Sequence, residues 1–213
     1  MKYKLIIFDL DGTLYRIPKE ISERFEDNII DFYAENFCVS REDARKIRKK
    51  LKKKYGTSAY VFKALGMEND FYLSVFGGID PSTYIKKDEK LVEILNEIKL
   101  KKVILTNSPK FFALKVLNAI GIDADTFDLI VTADNCEKIK PDREAFLNIT
   151  KKFNISPLET IVVGDEAEKD LKMAHELGMK TVLVGRKKAP YIDFNISSIH
   201  QIRSVLEHIT KSL

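Results

Sequence analysis

Two carboxylates two residues apart, Asp9 and Asp11, are the residues of this chain whose types and spacing point most directly to chemistry. They follow an unbroken apolar run, Leu5 to Phe8, which is typical of a buried parallel strand. Gly12 allows a sharp turn there, at the strand end where open α/β sheets bind ligands. Since like charges this close repel unless a cation offsets them, and oxygen ligands suit Mg²⁺ better than zinc, the pair predicts a Mg²⁺ site. The alternative is an Asp-Gly turn after a strand, as in many hairpins.

A second polar cluster directly follows another apolar run, Val103 to Leu105. It contains Thr106, Asn107, and a Ser108-Pro109 pair that can begin the next helix, with the serine as cap. A strand end that meets a helix start offers backbone N–H groups and a hydroxyl to a phosphate. The alternative is a plain Ser-Pro helix cap.

A third candidate is Lys140, which precedes a proline. Pro141 favours an extended conformation for Lys140, and Asp142 and Glu144 favour the positive end of a following helix. This placement predicts an ammonium group on a fixed loop, within reach of an anion. The alternative is an exposed lysine in a lysine-rich chain.

A fourth cluster, Gly164-Asp165-Glu166 with Asp170, follows the run Ile161 to Val163. Asp165 thus follows its run as Asp9 follows the first. Glu166 and Asp170 can complete the coordination of a metal or orient its waters. The alternative is that these acids stabilise the start of a helix through its dipole.

Five apolar runs alternate with helical segments, which predicts βαβ units and an α/β fold with a parallel sheet. The predicted strands are Leu5–Phe8, Val103–Leu105, Leu129–Val131, Ile161–Val163 and Thr181–Val184. The predicted helices after the second strand are Lys110–Ile120, Pro141–Phe153, Glu166–Leu177 and Ser198–Ile209.

The first two runs are almost a hundred residues apart, far more than a crossover needs. The intervening stretch, about Tyr15 to Ile85, has a helical pattern and is predicted to be an inserted domain. Within it, Ser40 is expected to begin a helix, with Asp43 three residues later as a capping box. Pro18 and Pro81 mark the two linkers.

Composition supports a globular protein and predicts neither a nucleic-acid partner nor a fixed oligomer. The chain has 213 residues, 45% of them apolar, and a net charge of +4, which allows one large domain or a domain with an insert. Its densest basic run, Arg45 to Lys54, is interpreted as an amphipathic helix with a solvated face, so no nucleic-acid partner is predicted. Nucleic-acid binding by this run is the alternative, which no recognised motif supports. The default expectation is a monomer, with a dimer through the inserted domain as the alternative.

The expected compartment is the cytoplasm. The two cysteines, Cys38 and Cys136, are too few for a disulfide framework. Asp9 and Asp11 interrupt the N-terminal apolar stretch, so no signal peptide is predicted. No run is long enough to span a bilayer, so no membrane partner is predicted.

The four clusters together resemble a known family. FDLDGTLY (8–15), LTNS (105–108), Lys140-Pro141 and VVGDEAEKD (162–170) match, in order, the four motifs of the haloacid dehalogenase-like hydrolase superfamily. The resemblance implies a Rossmann-like core, residues 1–15 and 86–213, with helices on both faces of its sheet. Residues 16–85 then correspond to an inserted all-helical cap, which is expected to close over the site and select the leaving group.

The resemblance also implies roles for individual residues. Asp9 is the expected nucleophile, forming an aspartyl-phosphate, and Asp11 the acid that protonates the leaving oxygen and then activates water. Mg²⁺ is expected on the Asp9 carboxylate, the Asp11 backbone carbonyl and Asp165. Thr106 and Lys140 are expected to bind phosphoryl oxygens.

Other residues are expected to assist. Backbone N–H groups near Leu10 and Asn107 are expected to contact the phosphoryl group, and Asp170 and Glu166 to support Lys140 or the metal. The side chains expected to contact the rest of the substrate are Tyr15, Arg16, Tyr55, Thr57 and Ser58.

The favoured function is therefore a Mg²⁺-dependent phosphatase of a small soluble phosphomonoester. A sugar phosphomutase shares the core motifs, and a metal-independent 2-haloacid dehalogenase is disfavoured because such enzymes lack an acid at the position of Asp11. A non-catalytic binding protein is the least favoured alternative. The chain is similar to pyrimidine 5′-nucleotidase-like members, which usually have Asn where Gly12 lies, and to phosphoglycolate phosphatase-like members, so the substrate stays open.

Overall fold

A computed structural model describes residues 3–211 of the chain, which divides into two compact units. One unit comprises Met1–Arg16 and Ile85–Leu213, and the other comprises Ile17–Tyr84. Each of these bounds differs by one residue from the division expected from the sequence. That the second unit acts as a cap stays a prediction.

The first unit is built on a parallel sheet of six strands in the order β3-β2-β1-β4-β5-β6. The strands are β1 (Leu5–Phe8), β2 (Lys101–Leu105), β3 (Leu129–Val131), β4 (Thr160–Gly164), β5 (Lys180–Val184) and β6 (Phe194–Ile196). Helices cover both faces, so the predicted α/β fold class is confirmed. β1 lies in the middle and is buried along its whole length, as its apolar run requires.

All five predicted strands are present, and the sixth was missed. β6 has three residues, Phe194-Asn195-Ile196, at the edge of the sheet. Because Asn195 is polar and exposed, it interrupts the apolar pattern that marks a buried strand. β2 begins two residues before its apolar run, at Lys101. This lysine is exposed and pairs with Asp128 at 2.6 Å, so the apolar pattern does not include it.

The second unit is helical. Its helices are α1 (Lys19–Phe37), α2 (Arg41–Tyr55), α3 (Ser58–Ala64) and α4 (Glu68–Phe76), followed by a 3₁₀ turn at Pro81–Thr83. Ser40 caps α2 as predicted, accepting a hydrogen bond from the Asp43 backbone N–H. Phe62 is fully buried at the centre of the unit, with the rings of Phe32 and Tyr33 edge-on at 4.7 and 4.8 Å between centroids.

The helices of the first unit are α5 (Glu89–Glu97), α6 (Lys110–Ile120), α7 (Arg143–Phe153), α8 (Lys172–Glu176) and α9 (Ile202–Lys211). Short 3₁₀ turns occupy Ala124–Thr126, Pro157–Glu159 and Ile199–Gln201, and a π-helical turn occupies Ala167–Leu171. α6 has its predicted bounds and ends at Gly121, whose φ is +81°.

Three of the predicted helices start later than expected. α7 begins at Arg143 rather than Pro141, because the Asp142 side chain caps it by accepting from the Glu144 backbone N–H. Ser198 caps a 3₁₀ turn before α9. The predicted helix Glu166–Leu177 is a π-helical turn that continues into α8.

The strand register brings three of the four polar clusters, those that directly follow β1, β2 and β4, to one edge of the sheet. Phe8 is paired with Ile104 on β2 and with Val163 on β4. The pairing extends one residue further, since the Asp9 N–H donates to the Val163 carbonyl at 2.9 Å. Asp9, Thr106 and Asp165 therefore emerge side by side at the carboxyl edge.

Among the described residues, no helix combines the length and the apolar character that crossing a bilayer requires.

Candidate active site

Asp9 is buried at the centre of the carboxyl edge, and each of its oxygens has a partner. Oδ1 lies 2.5 Å from the Lys140 ammonium, and Oδ2 accepts a hydrogen bond from the Thr13 hydroxyl at 2.9 Å. Because a carboxylate has about four acceptor positions, both oxygens keep a lone pair for a further ligand or for attack on an electrophile.

Lys140 is unusual for a lysine because its side chain is almost completely buried, with only 2% of it exposed. Its ammonium lies between two carboxylates, 2.5 Å from Asp9 and 2.8 Å from Asp170. Burial disfavours the charged ammonium, but the charges of Asp170 and Asp9 outweigh it and raise the pKa of Lys140 above its usual value. The interpretation of Lys140 as an exposed lysine is therefore excluded.

Asp170 is buried on the other side of Lys140. Its Oδ2 accepts a hydrogen bond from the Glu166 backbone N–H at 2.9 Å. Burial raises the pKa of Asp170, although the Lys140 charge opposes the rise. The π-helical turn Ala167–Leu171 holds this carboxylate; such wide turns are frequent at functional sites.

Asp165 completes an acidic cluster with Asp9 and Asp170, since one carboxylate oxygen from each lies within 4.8 Å of the others. Burial first, and then the charge of Asp9, raises the pKa of Asp165 to about 7. The Thr13 hydroxyl faces Asp165 Oδ1 at 3.2 Å as well as Asp9 Oδ2, but it has only one proton to donate. Acceptors thus outnumber donors between these two carboxylates, and an oxygen-preferring divalent cation fits there.

Two glycines permit the close packing of this cluster. A Cβ on Gly12 would lie 2.3 Å from Asp165 Oδ2, and a Cβ on Gly164 would lie 2.4 Å from the Asp170 Cβ. Gly12 also has a φ of +89°, a conformation that other residues rarely adopt. Any larger residue at position 12 must displace the Asp165 carboxylate.

We expect Gly12→Ala to lower the rate of the reaction catalysed at this site about 100-fold. The added Cβ would lie 2.3 Å from Asp165 Oδ2, so the Asp165 carboxylate has to move away from its position. Gly56→Ala is the matched control: Gly56 has a φ of +86°, but a Cβ there meets nothing within 4 Å. Both variants are expected to lose about 1–2 kcal/mol from the left-handed backbone, measured by urea unfolding. Equal activities for the two variants would contradict the role of close approach at Gly12.

Asp11 lies apart from the acidic cluster and accepts hydrogen bonds from three hydroxyls. Tyr15 donates to Oδ1 at 2.7 Å, while Ser108 and Thr106 donate to Oδ2 at 2.7 and 3.0 Å. Burial and the nearby charge of Asp11 raise the pKa of Tyr15 well above its usual value, so Tyr15 remains a phenol that can donate. Ser108 therefore does not cap α6, as the sequence suggested; the first N–H of that helix, on Lys110, donates instead to the Asp134 side chain at 2.8 Å.

Asn107 joins two of the loops. Its amide nitrogen donates to the Lys140 carbonyl at 2.8 Å, and its amide oxygen accepts from the Lys140 N–H at 3.0 Å. This reciprocal pair fixes the backbone of Lys140 beside β2. The Asn107 side chain is therefore hydrogen-bonded to the Lys140 backbone. The group that was expected to contact the phosphoryl group is the backbone N–H near Asn107, which takes no part in this pair.

The other candidates lie in varied positions. Arg16 and the Glu166 side chain are exposed, and Glu166 forms an ion pair with Lys169. In the second unit, the Thr57 hydroxyl accepts from the Tyr60 N–H at 3.2 Å, and the Ser58 hydroxyl accepts from Tyr33 at 3.4 Å. Both hydroxyls therefore have partners within their own unit.

Thr13 and Ser108 were missed as site residues by the sequence reasoning. Both were part of quoted motifs, but Thr13 was given no role there and Ser108 was interpreted as a helix cap. The available signal was the spacing, since Thr13 follows Asp9 by four residues in a tight turn and Ser108 follows Thr106 by two. Such hydroxyls on a loop hydrogen-bond groups nearby in the fold as readily as their own backbone.

Comparison with known proteins identifies the family. The profile of the haloacid dehalogenase-like hydrolases matches residues 3–178, which is most of the chain. The chain belongs to this family. The resemblance carried by the four motifs is thereby confirmed.

Relatives of this haloacid dehalogenase-like hydrolase include named phosphatases. The chain is 26% identical to a glyceraldehyde 3-phosphate phosphatase of Methanocaldococcus jannaschii, over 98% of its own length and 99% of the relative's. It is 28% identical to the pyrophosphatase PpaX of Halalkalibacterium halodurans, over 87% of its length and 85% of that protein's. The fold is similar to a β-phosphoglucomutase from Clostridium difficile, with a TM-score of 0.65 and 21% identity over 99% and 98% of the two chains.

Proposed function

We propose that this protein is a Mg²⁺-dependent phosphatase that hydrolyses a small phosphomonoester through an aspartyl-phosphate on Asp9. The observation that carries the proposal is the contact set of Asp9: a buried ammonium on one oxygen, and a hydroxyl shared with Asp165 on the other. The second acid, Asp11, is not among these contacts and accepts a hydrogen bond from the Ser108 hydroxyl. The enzyme class, a phosphoric monoester hydrolase, is the one that the names of the glyceraldehyde 3-phosphate and phosphoglycolate phosphatase relatives support.

In the first step, Asp9 attacks the phosphorus atom of the substrate. A bond forms between a carboxylate oxygen and phosphorus, and the bond between phosphorus and the leaving oxygen breaks. Asp11, protonated at this stage, gives its proton to the leaving oxygen, so an alcohol departs. Lys140 and the Thr106 hydroxyl stabilise charge on the phosphoryl oxygens.

In the second step, water releases the phosphate. Asp11 is now a carboxylate and takes a proton from water as the water oxygen attacks phosphorus. The bond between phosphorus and the Asp9 oxygen breaks, which restores the Asp9 carboxylate and yields inorganic phosphate. The chemistry consists mainly of positioning and charge stabilisation around a transferred phosphoryl group.

Asp9, Asp165 and the Asp11 backbone carbonyl are the groups that we propose hold Mg²⁺. When bound, Mg²⁺ offsets the charge of the carboxylates and of the phosphoryl group. The shared hydroxyl of Thr13 and the raised pKa of Asp165 support a cation at this place, because one hydroxyl proton serves two carboxylates and because burial and the charge of Asp9 disfavour the charge on Asp165.

A thermal-unfolding experiment tests this cation site without relying on turnover. The pKa of Asp165 is about 7 in the folded protein and near 3.8 in an ordinary carboxyl. Folding therefore favours the protonated acid, so Asp165 lowers the metal-free stability as pH rises from about 4 to 7. We expect metal-free Asp165→Asn to melt above the wild type at pH 8, with the difference shrinking at pH 5.

Mg²⁺ is expected to raise the melting temperature of the wild type and to leave that of Asp165→Asn unchanged. NaCl at matched ionic strength serves as the control for screening of surface charges. An equal Mg²⁺ response in both proteins would remove Asp165 from the site.

For the substrate, we propose a short phosphorylated metabolite, beginning with glyceraldehyde 3-phosphate. The relative of that name matches nearly the whole chain, including the inserted helical unit. The pyrophosphatase relative and the similarity to phosphoglycolate phosphatase-like enzymes support pyrophosphate and phosphoglycolate as the next candidates.

The test is phosphate release from a panel of these compounds, sugar phosphates and nucleoside monophosphates, with Mg²⁺ and with excess chelator. Metal-dependent release of phosphate supports the proposal, and the best ester identifies the substrate class. Conversion of a sugar phosphate into its isomer without phosphate release would indicate a mutase. Chloride release from 2-haloacids without metal would indicate a dehalogenase.

A further inference from the structure

The Asp11 carboxylate has an unusually complete set of hydroxyl partners. Of its two oxygens, Oδ1 accepts from Tyr15 at 2.7 Å and Oδ2 accepts from Ser108 at 2.7 Å. Thr106 adds a third bond to Oδ2 at 3.0 Å. Each carboxylate oxygen has about two acceptor positions, so Oδ2 is full and Oδ1 keeps one.

The three donors differ in what else they can do. In the proposed reaction Thr106 turns its hydroxyl proton toward a phosphoryl oxygen, and its oxygen still accepts from the Ser108 N–H at 3.0 Å. Tyr15 and Ser108 are both buried, 8% and 7% exposed, and aimed at Asp11. After Thr106 turns away, each Asp11 oxygen therefore keeps one hydroxyl partner and one open position.

We propose that Tyr15 and Ser108 are positioning residues that fix the plane of the Asp11 carboxyl group for proton transfer. This inference rests on the proposed function and deepens it. Sequence reasoning placed Tyr15 on the substrate, whereas the structure gives its hydroxyl to Asp11. With one hydroxyl partner on each oxygen, rotation of the carboxyl group breaks at least one hydrogen bond, and this holds for the protonated acid as well as for the carboxylate.

Positioning of a proton donor has a kinetic signature that simple damage to the fold lacks. An alkyl phosphate needs a proton on its leaving oxygen, whereas p-nitrophenyl phosphate loses a stable phenolate without one. Misplacing Asp11 therefore slows the first step for the alkyl ester and spares it for the aryl ester. The step that consumes water needs Asp11 for both esters, so only the first turnover separates them.

The experiment is a quenched single turnover, with enzyme in excess and Mg²⁺ present, on glyceraldehyde 3-phosphate and p-nitrophenyl phosphate. For Tyr15→Phe we expect alcohol release from the alkyl ester to slow about 10- to 100-fold, and nitrophenolate release to change less than about twofold. Steady-state kcat should fall with KM nearly unchanged. Ser108→Ala, which acts on the other oxygen, should show the same pattern and keeps the test valid if Tyr15→Phe folds poorly.

Two matched variants serve as controls, because each removes a tyrosine or serine hydroxyl that hydrogen-bonds away from Asp11. Tyr191 donates to Glu168 at 2.5 Å on the surface, and Ser156 caps the 3₁₀ turn before the amino end of β4. Tyr191→Phe and Ser156→Ala should leave both esters at wild-type rates.

Equal slowing of the two esters in Tyr15→Phe and Ser108→Ala would overturn the positioning role, and so would a raised KM at unchanged kcat. The latter would return Tyr15 to the substrate. A wild-type protein that releases neither alcohol nor nitrophenolate would instead overturn the proposed function, and this inference with it.

Discussion

Asp9→Asn is expected to abolish turnover, by more than about 10⁴-fold, while the protein keeps its fold. An amide is a poor nucleophile and leaves phosphorus unattacked, whereas Asn fills the same volume: with its amide oxygen toward Lys140, its amide nitrogen can donate to the Thr13 hydroxyl oxygen. Lys140 retains its second carboxylate, Asp170, at 2.8 Å, so the buried ammonium is not left unpaired. The loss should therefore appear in kcat and not in the melting temperature.

The measurement is phosphate release from the best ester of the panel, with circular dichroism and thermal unfolding as tests of folding. Asp193→Asn is a matched control, since that carboxylate pairs with Lys180 at 2.7 Å between β5 and β6, away from the four motifs. A second readout is acid-stable trapping of labelled phosphate, which the wild type should accumulate on Asp9 and the variant should not. Turnover retained in a clean preparation of Asp9→Asn would sink the aspartyl-phosphate mechanism.

The positions of Asp9 and Asp165 at the carboxyl edge of the sheet could be predicted because each residue follows a buried strand. Asp9 and Asp165 each come directly after an apolar run, and parallel strands end at a common edge of the sheet. The burial of Lys140 could not be predicted in this way, since it depends on Asp170, thirty residues later, and on the loop fixed by Asn107. Contacts between distant loops leave no periodic signal in the sequence.

The hydroxyls around Asp11 show a different limit of sequence reasoning. Ser before Pro at a helix start is a strong local signal for a cap, and that local preference lost to a tertiary contact with Asp11. Tyr15 was recognised as a candidate but assigned to the substrate, because its partner lies four residues earlier across a sharp turn. Similarly, the π-helical turn at Ala167–Leu171 contains Asp170, which pairs with Lys140 from another loop, and helix propensity does not indicate such a turn.

Lys140→Met is expected to destabilise the fold more than any exposed lysine substitution, by about 3–5 kcal/mol. The substitution keeps the length of the side chain but leaves Asp9 and Asp170 buried without their cation. Lys101→Met is the matched control, because Lys101 forms an exposed ion pair with Asp128 at 2.6 Å, and such pairs contribute about 0–1 kcal/mol. Urea unfolding of the two variants measures the difference directly.

A second substitution separates lost charge compensation from lost packing. Adding Asp170→Asn to Lys140→Met removes a buried charge, while its amide oxygen can still accept from the Glu166 N–H, so we expect the double variant to regain part of the lost stability. The deficit of Lys140→Met should also be smaller at pH 5 than at pH 8. Burial already raises the pKa of Asp170, and loss of the opposing ammonium raises it further, so the folded variant is favoured where that acid is protonated. Equal losses in Lys140→Met and Lys101→Met, or a double variant weaker than Lys140→Met alone, would mean that the ammonium does not balance these carboxylates.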